Sequence, residues 1–568
     1  MAAVISIVNA AGVKAPATPT QLSQMREALG VAPTAEAANA RRRGRSAFAV
    51  LLDTIAGAGG DTSSFVPAGN FNPTTHAELV TALTNAAAGQ IIRIPARVRI
   101  TVTAKLPVVP IGVIIRGAGH SYVASGYAPT ANTSALENLF QLVPSSEGVN
   151  GNQSVEHIHF IGNNYQAAGA VYVRGRSNVR VIDCTGAGLY SNFVTFNGRG
   201  DESDGAPTTR AANNGVFNCT SAGCSVWIGP KDGNGYASGI VQYGGQLNFT
   251  IKESILIAKG RGSNDDGYGI KYFKMGYSRG VLVDNCEVRK NVDTNMVGNF
   301  HFSWELWQDE DVVIQDSRLE GWIDNNGCNK FATPYGLLVN RCWFGTSYVP
   351  TNPNTFAVEL EYGANVAKTA NDVMIVDSYF QNIRSAAIFV YVSPLVGTKK
   401  FSRVCMHNCK VVGGRVTEFT IGGGATVGGF DDWTISRVTA YRRSTDVFLG
   451  VGIMLPKGGT CLRWRVVGNI VVGFNSTGIG VYKSTAANEG ATLVMDDLVI
   501  GDNVLFGNGS PIDLALDQPL VPTNYTTPNN SGFDPLFDTA SADPCYSARF
   551  DGTVGAGPIP AGPQRVHT

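Results

Sequence analysis

Carboxylate and aromatic side chains occur together in two segments of this 568-residue chain in which polar and apolar residues alternate. Such alternation predicts a strand, and successive side chains of a strand point to opposite faces. Cleavage of a glycosidic bond needs two carboxyl groups that flank the bond. The residues predicted to share a polar face are His301, Glu305 and Trp307 in one segment, and Glu359 and Glu361 in the other.

Two further segments with the same alternation add aromatic and basic side chains to this face. Lys271 and Phe273 lie in one of them, and Phe389 and Tyr391 lie in the other. Exposed aromatic groups usually have a partner, and sugar rings stack on aromatic faces. We therefore predict a carbohydrate groove. The alternative is a contact between subunits, because aromatic residues are also enriched there.

A short repeat predicts the elements that position these residues. Alternating apolar residues, a polar residue and a small residue recur at roughly 25- to 36-residue intervals, as in stacked units. Copies include VRVIDC, VLVDNC and LLVNRC, which end at Cys184, Cys286 and Cys342. Each copy has the period of a strand, and no amphipathic helices separate the copies. The predicted fold is therefore all-β: a right-handed single-stranded parallel β-helix, a solenoid with coils about 4.8 Å apart, behind a small α-helical N-terminal extension.

The end of the repeat predicts two columns of stacked residues. Its last position should form an interior ladder, because a buried free cysteine behaves as a small hydrophobic residue. This ladder comprises Cys184, Cys219, Cys286, Cys342 and Cys409, with Ser254, Ser317 and Ser378 between them. The preceding position should form a bend, which Asn and Asp tolerate. The bend residues are Asp183, Asn218, Asn285, Asp316, Asp377, Asn408, Asn469 and Asn503.

The stacking also sets the separation of the carboxylates. We expect Glu305 and Glu359 two coils apart, with the segment Leu319–Asn326 between them. Two steps of about 4.8 Å give roughly 10 Å, near the upper end of the ~6.5–9.5 Å spacing of inverting hydrolases. Asp324, in the intervening segment, is a closer partner for either carboxylate. Glu359 and Glu361 could also pair along one strand.

Residues from about 70 to 535 resemble pectate-lyase-like β-helix proteins. The resemblance begins with a predicted helix at His76–Ala88 and a strand at Ile91–Ile94. It implies that the helix covers the open end of the first coil. The motif residues are Gly89, Ile92, Ile94 and Pro95, then Ile115, Gly117 and Gly119.

The N-terminal region, residues 1–65, is predicted to be helical. One helix should run from Thr18 or Thr20 to Leu29, and a second from Ala35 to Ile55. A small helical piece ahead of a β-helix, with no signal peptide, resembles a bacteriophage tailspike. That resemblance implies a homotrimer located in the virion as a tail or collar spike. It also implies that the N-terminal segment docks onto other virion proteins, while the β-helix acts on bacterial surface polysaccharide at the host cell surface.

The predicted organisation has four parts: residues 1–65 for virion attachment, 66–120 as the cap of the β-helix, 121–518 as the β-helix, and 519–568 as a closing tail. The chain has 44 basic and 44 acidic residues, whereas nucleic-acid binders usually carry a basic excess. No run of 18 apolar residues is present, and the cysteines lack metal-ligand spacing. We expect no nucleic acid, no membrane insertion, no metal and no other cofactor.

Three functional hypotheses follow from these residues. The first is a glycoside hydrolase in which Glu305 and Glu359 act as acid and base, with Glu361 or Asp324 tuning them. The second is a polysaccharide lyase, in which a basic residue such as Lys271 removes the proton. The third is a virion spike or adhesin that binds glycan without cutting it, or serves only as structure.

Overall fold

The structure is a computed structural model. It describes residues 6–8, 14–16, 46–62, 65–66, 69–127, 138–143, 148–163, 169–189, 192–198, 209–224, 239–258, 267–272, 277–290, 300–307, 309–320, 329–332, 335–345, 357–362, 371–381, 383, 386–392, 400–421, 429–442, 450–456, 459–481, 493–514, 523–527 and 529–532. Asp324 and Phe273 lie outside these residues, as do the predicted helix at 18–29 and most of the predicted closing tail.

Two helices are present in the described part of the chain. Helix α1 spans Ala47–Gly57. It begins inside the predicted helix at 35–55 and ends two residues beyond it. The side chain of Ser46 accepts a hydrogen bond from the Ala49 N–H group and so fixes the start of the helix. None of the helices among the described residues has the length and apolar character needed to cross a membrane.

Helix α2, His76–Asn85, covers the first coil as predicted. Its Leu79 and Leu83 side chains are buried in the main core. The hydroxyl of the N-cap residue Thr75 accepts from the Glu78 N–H group, while the Glu78 carboxylate accepts from the N–H and hydroxyl groups of Thr74, one residue earlier. This arrangement is a variant of the capping box. The hydrogen bonds from Thr74 lower the pKa of the Glu78 carboxyl group. The helix ends at Asn85, three residues before the predicted Ala88, because Ala86 adopts an extended backbone conformation.

The remaining structure is built from three parallel sheets and one short hairpin, Ser6–Val8 with Lys14–Pro16. Among the described residues, sheet 1 contains Ile91–Ile94, Ile114–Gly117, Val149–Glu156, Arg176–Ile182, Ala211–Ala212, Gly215–Phe217, Gln246–Lys252, Arg279–Asp284, Glu310–Gln315, Tyr335–Asn340, Asn371–Val376, Lys400–His407, Gly429–Ser436, Gly459–Leu462, Arg465–Val467, Leu493–Gly501 and Thr523–Thr526. Sheet 2 contains Arg99–Val102, Tyr122–Ser125, His159–Ile161, Thr185–Ala187, Thr220–Cys224, Ile255–Ala258, Glu287–Lys290, Arg318–Glu320, Trp343–Gly345, Tyr379–Gln381, Lys410–Val412, Thr439–Tyr441, Ile470–Val472 and Val504–Phe506. Sheet 3 contains Asn138–Leu142, Gly169–Arg174, Val194–Asn197, Gly239–Gly244, Gly267–Tyr272, Phe300–Trp307, Asn329–Ala332, Val358–Tyr362, Ala386–Val392, Arg415–Ile421, Val451–Leu455, Thr477–Val481 and Ser510–Asp513.

Each coil visits the three sheets in turn. The chain passes from Gly169–Arg174 in sheet 3 to Arg176–Ile182 in sheet 1, then to Thr185–Ala187 in sheet 2, and returns to sheet 3 at Val194–Asn197. Each of the first three strands pairs in parallel with its equivalent in the next coil. This winding confirms the predicted parallel β-helix, and the repeat copies are its sheet 1 strands.

The corner between sheets 1 and 2 explains the end of the repeat. The bend residues Asp183, Asn218, Asn285, Asp316, Asp377 and Asn408 all have φ near +50°, as predicted. This left-handed conformation suits Asn and Asp best among non-glycine residues. The prediction is wrong for Asn469 and Asn503: Gly468 and Asp502 make those bends, and the two asparagines occupy the next, interior position.

The interior ladder at that corner is confirmed. The Ser254 and Ser317 hydroxyls accept hydrogen bonds from the N–H groups of Cys219 and Cys286 in the preceding coils. The described cysteines are free thiols. Burial raises the pKa of the Cys286 and Cys342 thiols to about 12, so neither is a ready nucleophile.

Candidate functional site

The strand register of sheet 3 brings most of the predicted site residues into two adjacent rows. In the first outer row, Lys271 pairs with Glu305, Glu305 with Lys330, Lys330 with Glu359, and Glu359 with Phe389. Residues up to 118 positions apart in the sequence therefore lie on neighbouring strands. Backbone pairing of parallel strands holds neighbours about 4.8 Å apart.

A second outer row lies two residues further along the same strands. Trp307 pairs with Ala332, Ala332 with Glu361, and Glu361 with Tyr391. The second outer row thus places one acidic position between two aromatic positions. This is the mixture of residue types that the sequence predicted for a carbohydrate groove.

Core packing explains why these rows lie on the outside. The residues that alternate with them, Val358, Leu360, Ile388 and Val390, are fully buried in the main core. Because the strand period is two, the intervening residues must lie on the opposite face. Ile270 is likewise buried in the core beside Lys271. The predicted division of sheet 3 into inner and outer positions is confirmed at these residues.

The residue between the two principal carboxylates differs from the one expected. Glu305 and Glu359 are two coils apart, as predicted, but the intervening strand is Asn329–Ala332. Leu319 belongs to sheet 2, because the chain completes that sheet before it returns to sheet 3. Lys330 therefore lies between Glu305 and Glu359 in the first outer row. The first outer row alternates in charge from Lys271 to Glu359.

The outer face of sheet 3 is less exposed than the sequence suggested. Glu359 is 3% exposed and Phe389 is 8% exposed. Phe389 packs against Ala386 in a small cluster separate from the main core. The expectation that these two side chains face solvent is therefore wrong. A carboxylate as buried as Glu359 must be compensated by polar or charged neighbours.

The same row is also covered nearer the N-terminus. Gln141, Tyr172, Thr195 and Gln242 precede Lys271 in the first outer row. Each has at most 8% of its surface exposed. Among the described side chains of this row before Glu418, none is open to solvent. A ligand that reaches the row must therefore lie partly beneath neighbouring parts of the protein.

His301 lies at an irregularity at the start of its strand. Phe300 pairs with Gly267 and Phe302 with Tyr268, so His301 is an extra residue in the Phe300–Trp307 strand. This is the two-against-one arrangement of a β-bulge. The bulge separates His301 from the regular alternation that carries Glu305 and Trp307.

Asp309 is a carboxyl group that the sequence did not distinguish from neighbouring surface acids. It follows the Phe300–Trp307 strand and is 3% exposed. Its Oδ2 accepts from the Tyr243 hydroxyl at 2.8 Å, and its Oδ1 accepts from the Ser278 N–H group at 2.7 Å. Burial raises the pKa of Asp309 to about 7, against the opposing effect of these hydrogen bonds.

A pKa near neutrality is typical of catalytic acids, but the surroundings of Asp309 do not suit that role. Both oxygens are occupied, and Tyr243 itself is buried in the main core. A catalytic acid must reach the substrate, whereas Asp309 faces the protein interior. Its hydrogen bonds to Tyr243 and Ser278 instead stabilise the corner that joins sheet 3 to sheet 1.

Comparisons with known proteins give distant structural similarities. No family model matches the chain, and no curated protein matches it. Among similar solved structures, the Streptococcus pneumoniae surface protein and adhesin PfbA is 12% identical, with a TM-score of 0.39, covering 63% of this chain and 92% of that one. The Yersinia enterocolitica family 28 exopolygalacturonase is 12% identical, with a TM-score of 0.34, covering 83% and 78%. Bacteriophage CBA120 tailspike protein 3 is 9% identical, with a TM-score of 0.35, covering 82% and 60%.

These similar structures include an adhesin, a hydrolase and a tailspike. At such identities the likeness concerns the fold and carries no information on substrate or activity. The parallel β-helix fold is established by the strand pairing within this chain itself.

Proposed function

We propose that this protein is a virion spike that binds a bacterial surface polysaccharide along the outer face of sheet 3 and cleaves it. The observation that carries the proposal is the register of the two outer rows. It gathers Glu305, Glu359 and Glu361 with Trp307 and Tyr391 on strands of successive coils. Aromatic residues would hold sugar rings, and the carboxylates would flank a glycosidic bond.

The spacing supports an inverting hydrolase as the first choice of chemistry. Two coil steps separate Glu305 from Glu359, which corresponds to roughly 10 Å between strands. Inverting enzymes hold their carboxyl groups ~6.5–9.5 Å apart so that a water fits between base and sugar. In this mechanism one carboxyl group protonates the leaving oxygen while the other activates water.

Lys330 supports a lyase as the second choice. Its position between Glu305 and Glu359 places a basic residue at the centre of the row. A lyase needs a base that removes a proton beside the carboxylate of a uronic acid. Lys271, at the other side of Glu305, offers a second basic position. This mechanism applies only to polysaccharides that contain uronic acids.

The burial of Glu359 and Phe389 supports a third function, in which the protein binds or scaffolds without cleavage. Covered outer residues of a spike could contribute to structure alone. The same burial is compatible with a groove whose rim shields the reacting groups from water. Product analysis separates these functions.

The experiment incubates the full chain with a panel of purified capsular polysaccharides and lipopolysaccharides. We expect shortened oligosaccharides by mass spectrometry for at least one polymer. New reducing ends without ultraviolet absorbance from unsaturated sugars identify a hydrolase, and such absorbance identifies a lyase. Tight binding without product, measured on the same polymers, would contradict cleavage and leave an adhesin.

A further inference from the structure

Helix α1 is attached to the side of the β-helix by specific contacts. The Ser46 N–H and hydroxyl both donate to the Asp183 carboxylate, at 2.6 and 2.8 Å. Leu52 packs with Val66 and Ala118 in a small buried cluster. The helix therefore lies against the corner between sheets 1 and 2 in the first coils.

Three side chains of metal-ligand type meet in this contact. Asp53 comes from helix α1, whereas His120 and His159 come from successive coils of the β-helix. Their ligand atoms all lie within 4.8 Å of one another. The Asp53 Oδ2 atom is 2.9 Å from His159 Nε2. The Asp53 Oδ1 atom accepts a hydrogen bond from the backbone N–H group of His120 at 2.6 Å.

Both imidazole rings have a hydrogen-bond partner at Nδ1. His120 Nδ1 is 2.8 Å from the Tyr122 hydroxyl, and His159 Nδ1 is 2.7 Å from the Thr185 hydroxyl. Metal-binding histidines are usually oriented in this way by a hydrogen bond to the second nitrogen. A hydroxyl group can donate or accept, so either partner accommodates both neutral tautomers of its histidine.

The end of helix α1 lies close to the His120 ring. A Cβ atom at Gly57 would lie 2.9 Å from His120 Nε2, which is closer than side chains approach one another. Glycine at this position therefore lets the ring lie against the end of the helix. The rings of His120 and His159 are stacked, with their centroids 6.0 Å apart and their planes at 26°.

We propose that Asp53, His120 and His159 bind one divalent transition-metal ion, of which Zn²⁺ is the model case, and that the ion clamps helix α1 to the β-helix. Two imidazoles and one carboxylate suit such ions better than Mg²⁺ or Ca²⁺, which prefer oxygen ligands. Three protein ligands leave a fourth position for water. This ion site is independent of the proposed function of sheet 3.

The geometry requires a small closure of the three side chains. Ligand bonds of about 2.0–2.2 Å place the ligand atoms of a tetrahedral zinc site roughly 3.4 Å apart. On binding, the ion replaces the hydrogen bond between His159 Nε2 and Asp53. The Thr185 hydroxyl, 2.7 Å from Nδ1, can accept the proton of the metal-bound tautomer.

The test uses the full chain without an affinity tag, stripped with chelator and dialysed. Titration with Co²⁺ should give visible absorption bands that saturate at one ion per chain, and Zn²⁺ should displace Co²⁺. Hydrogen exchange of the Ala47–Gly57 peptide should slow when Zn²⁺ is added. Absence of saturable bands in the unsubstituted chain would overturn the site, whatever the behaviour of any variant.

Substitutions of the proposed ligands test where the ion binds. Asp53→Asn and His159→Gln retain hydrogen-bonding groups and should each weaken Zn²⁺ binding more than tenfold. His407→Gln is the matched control, because His407 lies on sheet 1 far along the coil stack, where its Nδ1 atom is 2.9 Å from the Ser436 hydroxyl. Unchanged binding in Asp53→Asn and His159→Gln, or loss in His407→Gln, would place the ion elsewhere. Binding without slower exchange in helix α1 would overturn the clamp.

Discussion

At the scale of single residues, Asp309 couples the stability of the fold to pH. Its carboxyl group has a pKa of about 7 in the folded chain, raised by burial from the ordinary value of 3.8. Below pH 3.8 both folded and unfolded chains carry the proton. As the pH rises from 4 to 7, only the unfolded chain loses it, so folding becomes progressively less favourable. Above pH 7 both forms are ionised and the effect is constant.

We predict that Asp309→Asn removes this pH dependence. An amide can still accept from Ser278 and can donate to the Tyr243 hydroxyl, so the shape of the corner is kept. Relative to the original chain, the variant should gain about 2–4 kcal/mol of stability between pH 4 and pH 7, at 1.36 kcal/mol per pKa unit. Thermal unfolding of both chains across this range measures the difference. A constant difference at all pH values would contradict the assignment.

Whether a residue could be placed from the sequence depended on how regular its surroundings are. Cys219 and Cys286 could be placed in the interior because the repeat fixes their position in every copy. Asp309 lies in a run of three acidic residues that is typical of a surface turn. Its burial depends on Tyr243 and Ser278, which belong to earlier coils. Local pattern carries no information about such contacts.

At the scale of elements, the interior ladder changes from cysteine and serine to asparagine near the C-terminal end. Asn469 accepts from the Val438 N–H group at 2.9 Å and donates to the Ile435 carbonyl at 3.0 Å. Asn503 repeats the pattern one coil later, where it accepts from the Asn469 N–H group. Each asparagine therefore satisfies backbone groups that the bend leaves without a strand partner.

We predict that Asn469→Ala destabilises this part of the β-helix by about 2–4 kcal/mol, because two buried backbone groups lose their partners. Asn469→Ser should cost less, since serine already accepts from the preceding coil at Ser254 and Ser317. Hydrogen exchange at the Val438 amide measures the local effect. Equal protection of that amide in the alanine and serine variants would refute the role of the ladder.

Sheet 1 could be predicted from the sequence more fully than sheet 3. Sheet 1 strands end at a fixed bend, so the repeat marks each of them. Sheet 3 strands follow connections of varied length, and the sequence offered no marker for the strand Asn329–Ala332. That is why Lys330 was missed and Asp324 was chosen in its place. The metal-ligand group was missed because Asp53, His120 and His159 share no local spacing.

At the scale of the whole molecule, the three sheets present different outer faces. Trp343, Tyr379 and Lys410 on the outer face of sheet 2 are almost fully buried, and the Arg318 guanidinium lies 4.1 Å from the centre of the Trp343 ring. The described side chains of the first outer row of sheet 3 are also mostly covered. Sheet 1 is more open. One of its outer rows is apolar and partly exposed: Leu282, Val313, Leu338, Met374 and Cys405.

This apolar row is a candidate subunit interface for the homotrimer that the resemblance to tailspikes implies. Met374, within the row, is 47% exposed, and contiguous apolar surface commonly marks an interface. We predict a particle of three times the 60.0 kDa chain mass by light scattering. The paired substitutions Leu338→Lys and Met374→Lys should shift it to monomer, whereas Met374→Leu should not. A monomer in the unsubstituted chain would contradict the prediction.

Cleavage by the carboxylates of the first outer row is the central claim, and the rate of oligosaccharide release tests it most directly. On a polymer that the unsubstituted chain cuts, Glu305→Gln and Glu359→Gln should each lower the rate at least about 100-fold, the usual effect of losing an acid or base. Glu253→Gln, at an exposed bend on another face, should leave it unchanged. Release at the original rate by both outer-row variants would show that the chemistry lies elsewhere.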